Sequence, residues 1–126
     1  MDRFPSIDEI HNMLDEIVET IPRELFKDLN EGIVLLPEYK LHPESKFKDK
    51  LYIMGEYCKS ITGRHIKIYY GSFKRVYSGV STKVLREKLK ETLFHELTHH
   101  LESLAGIRDL EMEDYRFLEK YKQNSY

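Results

Sequence analysis

Two histidines and a glutamate in the last third of the chain have the types and spacing of a metal-dependent hydrolytic site. They lie in the run His95-Glu96-Leu97-Thr98-His99. On a helix, residues four apart share one face with their Cβ atoms about 6 Å apart, so both imidazoles can reach one ion. Glu96 is turned aside by about 100° and can take a proton from a water on that ion. The pattern predicts His95 and His99 as zinc ligands and Glu96 as the general base.

The composition agrees with a metal held by histidine and carboxylate. The chain of 126 residues has one cysteine, Cys58, which excludes both a disulfide framework and a cysteine-rich zinc site. A catalytic zinc site needs three protein ligands and a water. We therefore expect Zn²⁺ as the cofactor and a third ligand from elsewhere in the chain.

The sequence around the motif resembles a known family. Three segments carry the likeness: Gly32-Ile33-Val34-Leu35-Leu36, Ile68-Tyr69-Tyr70-Gly71-Ser72-Phe73 and His95-Glu96-Leu97-Thr98-His99-His100-Leu101-Glu102. They resemble very small bacterial zincin-like proteins described as metallopeptidases. The resemblance implies zinc at the two histidines, Glu96 as the base, and an antiparallel strand beside the cleft. We assign that strand to residues 66–70, with an exposed edge that could hold an extended peptide.

Asp109 is the first choice for the third ligand. In metzincin-type motifs a glycine follows the second histidine by three residues, and the third ligand follows that glycine by three more. Here Gly106 comes seven residues after His99, and Asp109 comes three after Gly106. The shift is about one helical turn. A helix one turn longer, followed by the same reversal, would return Asp109 toward the ion.

Other carboxylates near the motif leave alternatives open. Glu111 or Glu113 could act from a later helix, as a glutamate does in gluzincins. Glu102 lies about 10.5 Å along the helix axis from the first histidine, so we expect it to orient the ring of His99 rather than share the ion. His100 is turned about 100° from its neighbour, which favours packing or a surface position over ligation.

The elements that must position these residues can be read from local patterns. Ser6 and Glu9 form a capping box for a helix that starts at Ile7. Leucines at four-residue steps predict a long buried helix from about Lys83 to Ala105. Alternation and turn residues predict strands at 33–36, 51–57 and 66–70, the last two joined as a hairpin, and a short final helix at 113–121. The expected fold is α+β: one zincin-like domain over residues 1–126, with a small, mainly antiparallel sheet.

Charge is distributed unevenly, which raises a second class of function. Residues 45–90 carry 12 basic and 3 acidic side chains, whereas the whole chain has a net charge of −2. A basic segment with interleaved tyrosines could bind nucleic acid. The acidic flanks favour internal neutralisation instead, so a nucleic-acid partner is not our expectation.

The sequence thus predicts a zinc metallopeptidase that acts on a peptide or protein substrate. No signal-peptide pattern and no membrane-spanning apolar run are present, so we expect a cytoplasmic protein without a membrane partner. The main alternative is a catalytically silent, zincin-like metal-binding domain with a structural or regulatory role, because few residues follow the motif to build the far wall of a cleft.

Overall fold

The architecture is α+β, as predicted. The structure, a computed structural model, describes residues 3–46, 48 and 50–107. Within these ranges the order of elements is α1 (Ile7–Glu19), a 3₁₀ helix (Arg23–Phe26), β1 (Ile33–Leu36), β2 (Gly55–Lys59), β3 (Arg64–Tyr69), α2 (Tyr70–Tyr77) and α3 (Thr82–Ile107). The predicted final helix at 113–121 lies outside the described residues. Across the ranges that are described, no helix is long and apolar enough to cross a membrane.

Helix α1 begins where the capping box predicts. The Ser6 hydroxyl accepts from the Glu9 amide at 3.2 Å, and the Glu9 carboxylate accepts from the Ser6 amide at 2.9 Å. These bonds satisfy amides that the first turn of a helix leaves without partners. The apolar stripe of α1 is buried against the core: Ile10, Met13, Leu14 and Ile17.

Helix α3 is the central element, as its leucine spacing predicts. The Ser81 hydroxyl caps its first turn by accepting from the Val84 amide at 3.1 Å. The five leucines of the stripe are at most 1% exposed: Leu85, Leu89, Leu93, Leu97 and Leu101. Helix α3 packs against both α1 and the sheet, so its orientation determines where the motif residues point.

The sheet has three strands in the order β1-β3-β2. Strands β2 and β3 are antiparallel, with Tyr57 opposite Ile66, and form the predicted hairpin. Strands β1 and β3 are parallel, with Ile33 opposite Ile66. The sheet is therefore mixed, and the expected antiparallel pairing holds for the hairpin but not for β1.

The strand beside the cleft is not the one the sequence suggested. Strand β3 is the central strand and has neighbours on both sides, so the prediction of a free edge at residues 66–70 was wrong. Strands β1 and β2 are the two edge strands of the described sheet, and β2 is the one that packs against α3 beside the motif. Hydrophobic alternation identified β3 as a strand, but strand order depends on non-local pairing that a local pattern does not encode.

The second strand also begins later than predicted. Residues 51–53 pair with the preceding loop instead of with β3, because the Ile53 amide donates to the Lys40 carbonyl and the His42 amide to the Leu51 carbonyl, both at 2.8 Å. The sheet strand is consequently Gly55–Lys59. Directly after β3, residues 70–77 form α2, with Phe73 fully buried.

Candidate metal centre

His95 and His99 converge on one face of α3. Their Nε2 atoms lie 3.1 Å apart, and their rings are nearly perpendicular at 88°. Both side chains reach solvent, with 66% and 49% of their area exposed, although the leucines on the same helix are buried. The i, i+4 spacing therefore places two ring nitrogens together, as the sequence predicted, and the structure shows that the pair lies on the accessible side of a core helix.

The separation of these nitrogens fits a shared zinc ion. Two nitrogens bound at about 2.0–2.1 Å with a tetrahedral angle between them lie about 3.3 Å apart, close to the observed 3.1 Å. The pair supplies two ligands, and the described residues contain no group of three metal-ligating side chains. Asp109, Glu111 and Glu113 lie outside the described residues, so the choice among them stays a prediction.

Glu96 is buried beside the pair. It is 7% exposed, and its Oε2 atom lies 4.0 Å from Nε2 of His95. Burial raises the pKa of the Glu96 carboxyl, and the His99 ring and the backbone amide of Tyr57 offset only part of that effect. A carboxylate with a raised pKa is a better proton acceptor at neutral pH, which suits a general base.

Glu102 stands where the sequence placed it, one turn beyond the second histidine. Its Oε1 atom lies 3.5 Å from Nδ1 of His99, the nitrogen that faces away from the pair. A carboxylate at this position favours the Nδ1-protonated ring, which leaves Nε2 with its lone pair toward the ion. Glu102 is about half exposed, so this interaction is partly screened by solvent.

The edge strand β2 forms the wall opposite the motif. Two open depressions meet at Glu96 and share Ile53 and Gly55. The first, of about 480 Å³, is lined also by Met54, Tyr77, Lys88, Glu91, Thr92 and His95. The second, of about 650 Å³, is lined also by Glu56, Tyr57, Lys59, His99, Glu102 and Ser103. Together they form a groove that runs along β2 past both histidines.

Gly55 allows β2 to lie close to α3 at the centre of this groove. A Cβ atom built on Gly55 would fall 2.9 Å from Cγ2 of Thr92 and 3.1 Å from the carbonyl oxygen of Lys67. Both distances are shorter than ordinary carbon contacts. A residue without a side chain is therefore required here to keep the strand beside the helix.

His100 packs inside the fold, which decides between the packing and surface positions that the sequence left open, and its partners were not foreseen. It is fully buried, with Nε2 2.7 Å from the Lys27 carbonyl and Nδ1 2.8 Å from the Tyr57 hydroxyl. A carbonyl only accepts, so we assign the proton to Nε2, and Nδ1 accepts from Tyr57. Burial lowers the pKa of His100. No local signal in the sequence links Tyr57 to His100, which are 43 residues apart.

Comparison with known proteins identifies the family. The family model described as zincin-like metallopeptidase matches residues 17–117, and the chain belongs to that family. A solved structure of a conserved hypothetical protein from T. thermophilus is similar, with 32% identity and a TM-score of 0.69. The match covers 82% of this chain and 100% of the other. No curated protein matches.

Proposed function

We propose that the protein is a zinc-dependent peptidase with Glu96 as its general base. The observation that carries the proposal is the convergence of the His95 and His99 Nε2 atoms, 3.1 Å apart, beside the buried carboxylate of Glu96. Membership of the zincin-like metallopeptidase family supports the same reaction. Asp109 is our choice for the third ligand, with Glu111 and Glu113 as its alternatives.

The reaction assigns a separate task to each described residue. A zinc ion on the two histidines would supply a Lewis acid that polarises a peptide carbonyl and acidifies a water molecule. Glu96 would take a proton from the attacking water and deliver it to the amine nitrogen that leaves when the peptide C–N bond breaks. Glu102 holds the His99 ring in the orientation that directs Nε2 toward the groove.

The outer edge of β2 in the described sheet supports an extended peptide as the substrate. The Tyr69 amide donates to the Met54 carbonyl at 2.9 Å, and hydrogen-bonded positions recur at every second residue of an antiparallel pair. Residues 56 and 58 therefore pair with β3, whereas the backbone groups of residues 55, 57 and 59 point away from β3. The Tyr57 amide interacts with the Glu96 carboxylate, and the other outward groups could add a substrate strand beside Glu96.

The basic middle segment does not form part of this proposal, because several of its basic side chains already contact other residues of the fold. Arg86 pairs with Glu16 at 2.8 Å, and Lys88 pairs with Glu91 at 3.3 Å. Arg75 lies over the ring of Tyr39 at 4.1 Å from its centroid. Internal pairing of this kind supports the neutralisation that the overall charge suggested.

Metal content and hydrolysis, measured together, test the proposal. The purified chain should bind one zinc per molecule and cleave members of a peptide library. The Glu96→Gln variant should keep the zinc and lose cleavage, because the amide no longer accepts a proton. Absence of stoichiometric zinc under metal-replete conditions would contradict the metal site. Zinc binding with equal background cleavage in wild type and variant would instead support the silent metal-binding domain.

A further inference from the structure

A continuous chain of hydrogen bonds crosses the fold directly behind the histidine pair. Arg64 donates from Nη1 to the Tyr57 hydroxyl at 2.6 Å, and that hydroxyl donates to Nδ1 of His100 at 2.8 Å. Nε2 of His100 then donates to the Lys27 carbonyl at 2.7 Å. These bonds connect β3, β2, α3 and the segment after the 3₁₀ helix. This series of hydrogen bonds reaches α3 at His100, the residue that directly follows the second histidine of the motif.

We propose that Tyr57 and His100 are positioning residues that fix the rotation of α3 about its own axis relative to β2. The inference rests on the proposed zinc site. His100 is covalently next to His99, so a rotation that displaces one ring displaces the other. At a side-chain radius of about 5–6 Å, a rotation of about 10° moves an atom by about 1 Å. Metal–ligand distances tolerate only about 0.2 Å, and the third ligand must come from outside the described helix.

The apolar packing of α3 does not by itself set this rotation. Leucines at steps of four advance by about 40° around the helix each time, so the buried stripe from Leu85 to Leu101 drifts over a wide arc. Burial of apolar area is non-directional, so it defines the rotation less sharply than a hydrogen bond does. The Tyr57–His100 hydrogen bond adds a directional contact beside the motif.

A second polar contact, at Ser103 of α3, also restricts the rotation of the helix. The Ser103 hydroxyl, four residues after His99, accepts from Nη1 of Arg64 at 2.8 Å and from Nζ of Lys59 at 3.2 Å. Arg64 thus reaches α3 twice, directly at Ser103 and through Tyr57 at His100. Two contacts in neighbouring turns hold the helix against rotation better than one alone.

Zinc affinity of the full chain tests the proposal. Tyr57→Phe removes only the bridging hydroxyl, and we expect it to weaken zinc binding about tenfold, as loss of contacts behind metal ligands does elsewhere. Tyr70→Phe is the matched control, because the Tyr70 hydroxyl donates at 2.6 Å to the Pro5 carbonyl, away from α3. The control should lower the melting temperature of the zinc-free chain similarly while its zinc affinity stays close to that of wild type. Competition against a chromophoric chelator gives the affinities.

His100→Gln supplies an independent variant and decides the result if Tyr57→Phe fails to fold. Glutamine can still donate to the Lys27 carbonyl but lacks an acceptor at the Nδ1 position. The double variant of Tyr57→Phe and His100→Gln should bind zinc no more weakly than Tyr57→Phe alone, because both substitutions break the same Tyr57–His100 hydrogen bond. If both single variants bind zinc with wild-type affinity, the positioning role is overturned, but the proposed function is not. A wild-type chain that binds no zinc would overturn both this inference and the proposed function.

Discussion

The Nε2 atoms of His95 and His99 face each other at 3.1 Å across the accessible side of a helix whose leucines are buried. Because the pair is exposed while the core of the helix is buried, the residues that would bind metal differ from those that stabilise the fold. Both rings are about half exposed or more, and substitution of exposed side chains changes the free energy of unfolding by about 0.5 kcal/mol or less. The two histidines can therefore be removed without loss of the fold.

We expect His95→Ala and His99→Ala each to abolish stoichiometric zinc binding while the zinc-free chain unfolds at nearly the wild-type temperature. His11→Ala is the control, because His11 is exposed on α1 and pairs with Asp15 at 3.3 Å. Metal analysis after dialysis and thermal unfolding monitored by circular dichroism measure the two quantities. Retention of one zinc per chain in either motif variant would contradict the assignment of the pair.

The third ligand can be identified by comparing three carboxylates under the same conditions. Asp109→Asn should weaken zinc binding by about two orders of magnitude or more, because a catalytic site needs three protein ligands. Glu111→Gln and Glu113→Gln should retain wild-type affinity and serve as matched controls. Loss of affinity in Glu113→Gln with Asp109→Asn unaffected would transfer the role to the later position.

Local patterns predicted the parts of the fold that local forces determine. The capping box at Ser6 depends on residues three apart, and the buried face of α3 depends on leucines four apart, so both are visible in a short stretch of sequence. The histidine pair is of the same kind, since the helix itself brings the rings together. The structure confirms these local arrangements, whereas the role of the histidine pair as zinc ligands stays a prediction.

Contacts between distant segments could not be predicted in this way. The position of β3 between β1 and β2 depends on pairing between distant residues. Ile33 of β1, for example, pairs with Ile66 of β3, 33 residues later. The Tyr57–His100 bond joins β2 to α3. Nothing in the neighbourhood of either residue specifies the partner, which is why the edge strand was misassigned and the hydrogen-bond chain was missed.

Glu56 should make the free energy of unfolding decrease as the pH falls in the acid range. Its carboxylate accepts from Nζ of Lys40 at 2.7 Å and from the Tyr69 hydroxyl at 2.6 Å. Burial raises the pKa of Glu56, but these two bonds outweigh it, so the pKa lies below the ordinary value of 4.5. The unfolded chain then binds the proton more readily. The stabilisation is complete above about pH 4.5 and is lost as the pH falls through the lower folded value.

Urea unfolding of wild type and Glu56→Gln, at about pH 7 and at decreasing pH below the ordinary glutamate pKa, measures this contribution. The variant should be less stable at neutral pH, and the difference should shrink as the pH falls. Tyr69→Phe removes one of the two bonds and should show a smaller decrease of the same sign. If the free energies of unfolding of wild type and Glu56→Gln differ by the same amount at every pH, the role of Glu56 is contradicted.

Gly55→Ala should force β2 and α3 apart at the groove. The new methyl would lie 2.9 Å from Cγ2 of Thr92 and 3.1 Å from the Lys67 carbonyl, and overpacking of this kind costs about 1–3 kcal/mol. Thr92→Ser deletes Cγ2, so the double variant should recover part of the lost free energy of unfolding, while the backbone contact at Lys67 keeps the recovery incomplete. If the protein is the proposed peptidase, peptide cleavage should be lowest in Gly55→Ala and should recover partly in the double variant, as the free energy of unfolding does. Equal stability of Gly55→Ala and wild type would show that the strand can shift without cost, and the close approach would then not be needed to hold the groove.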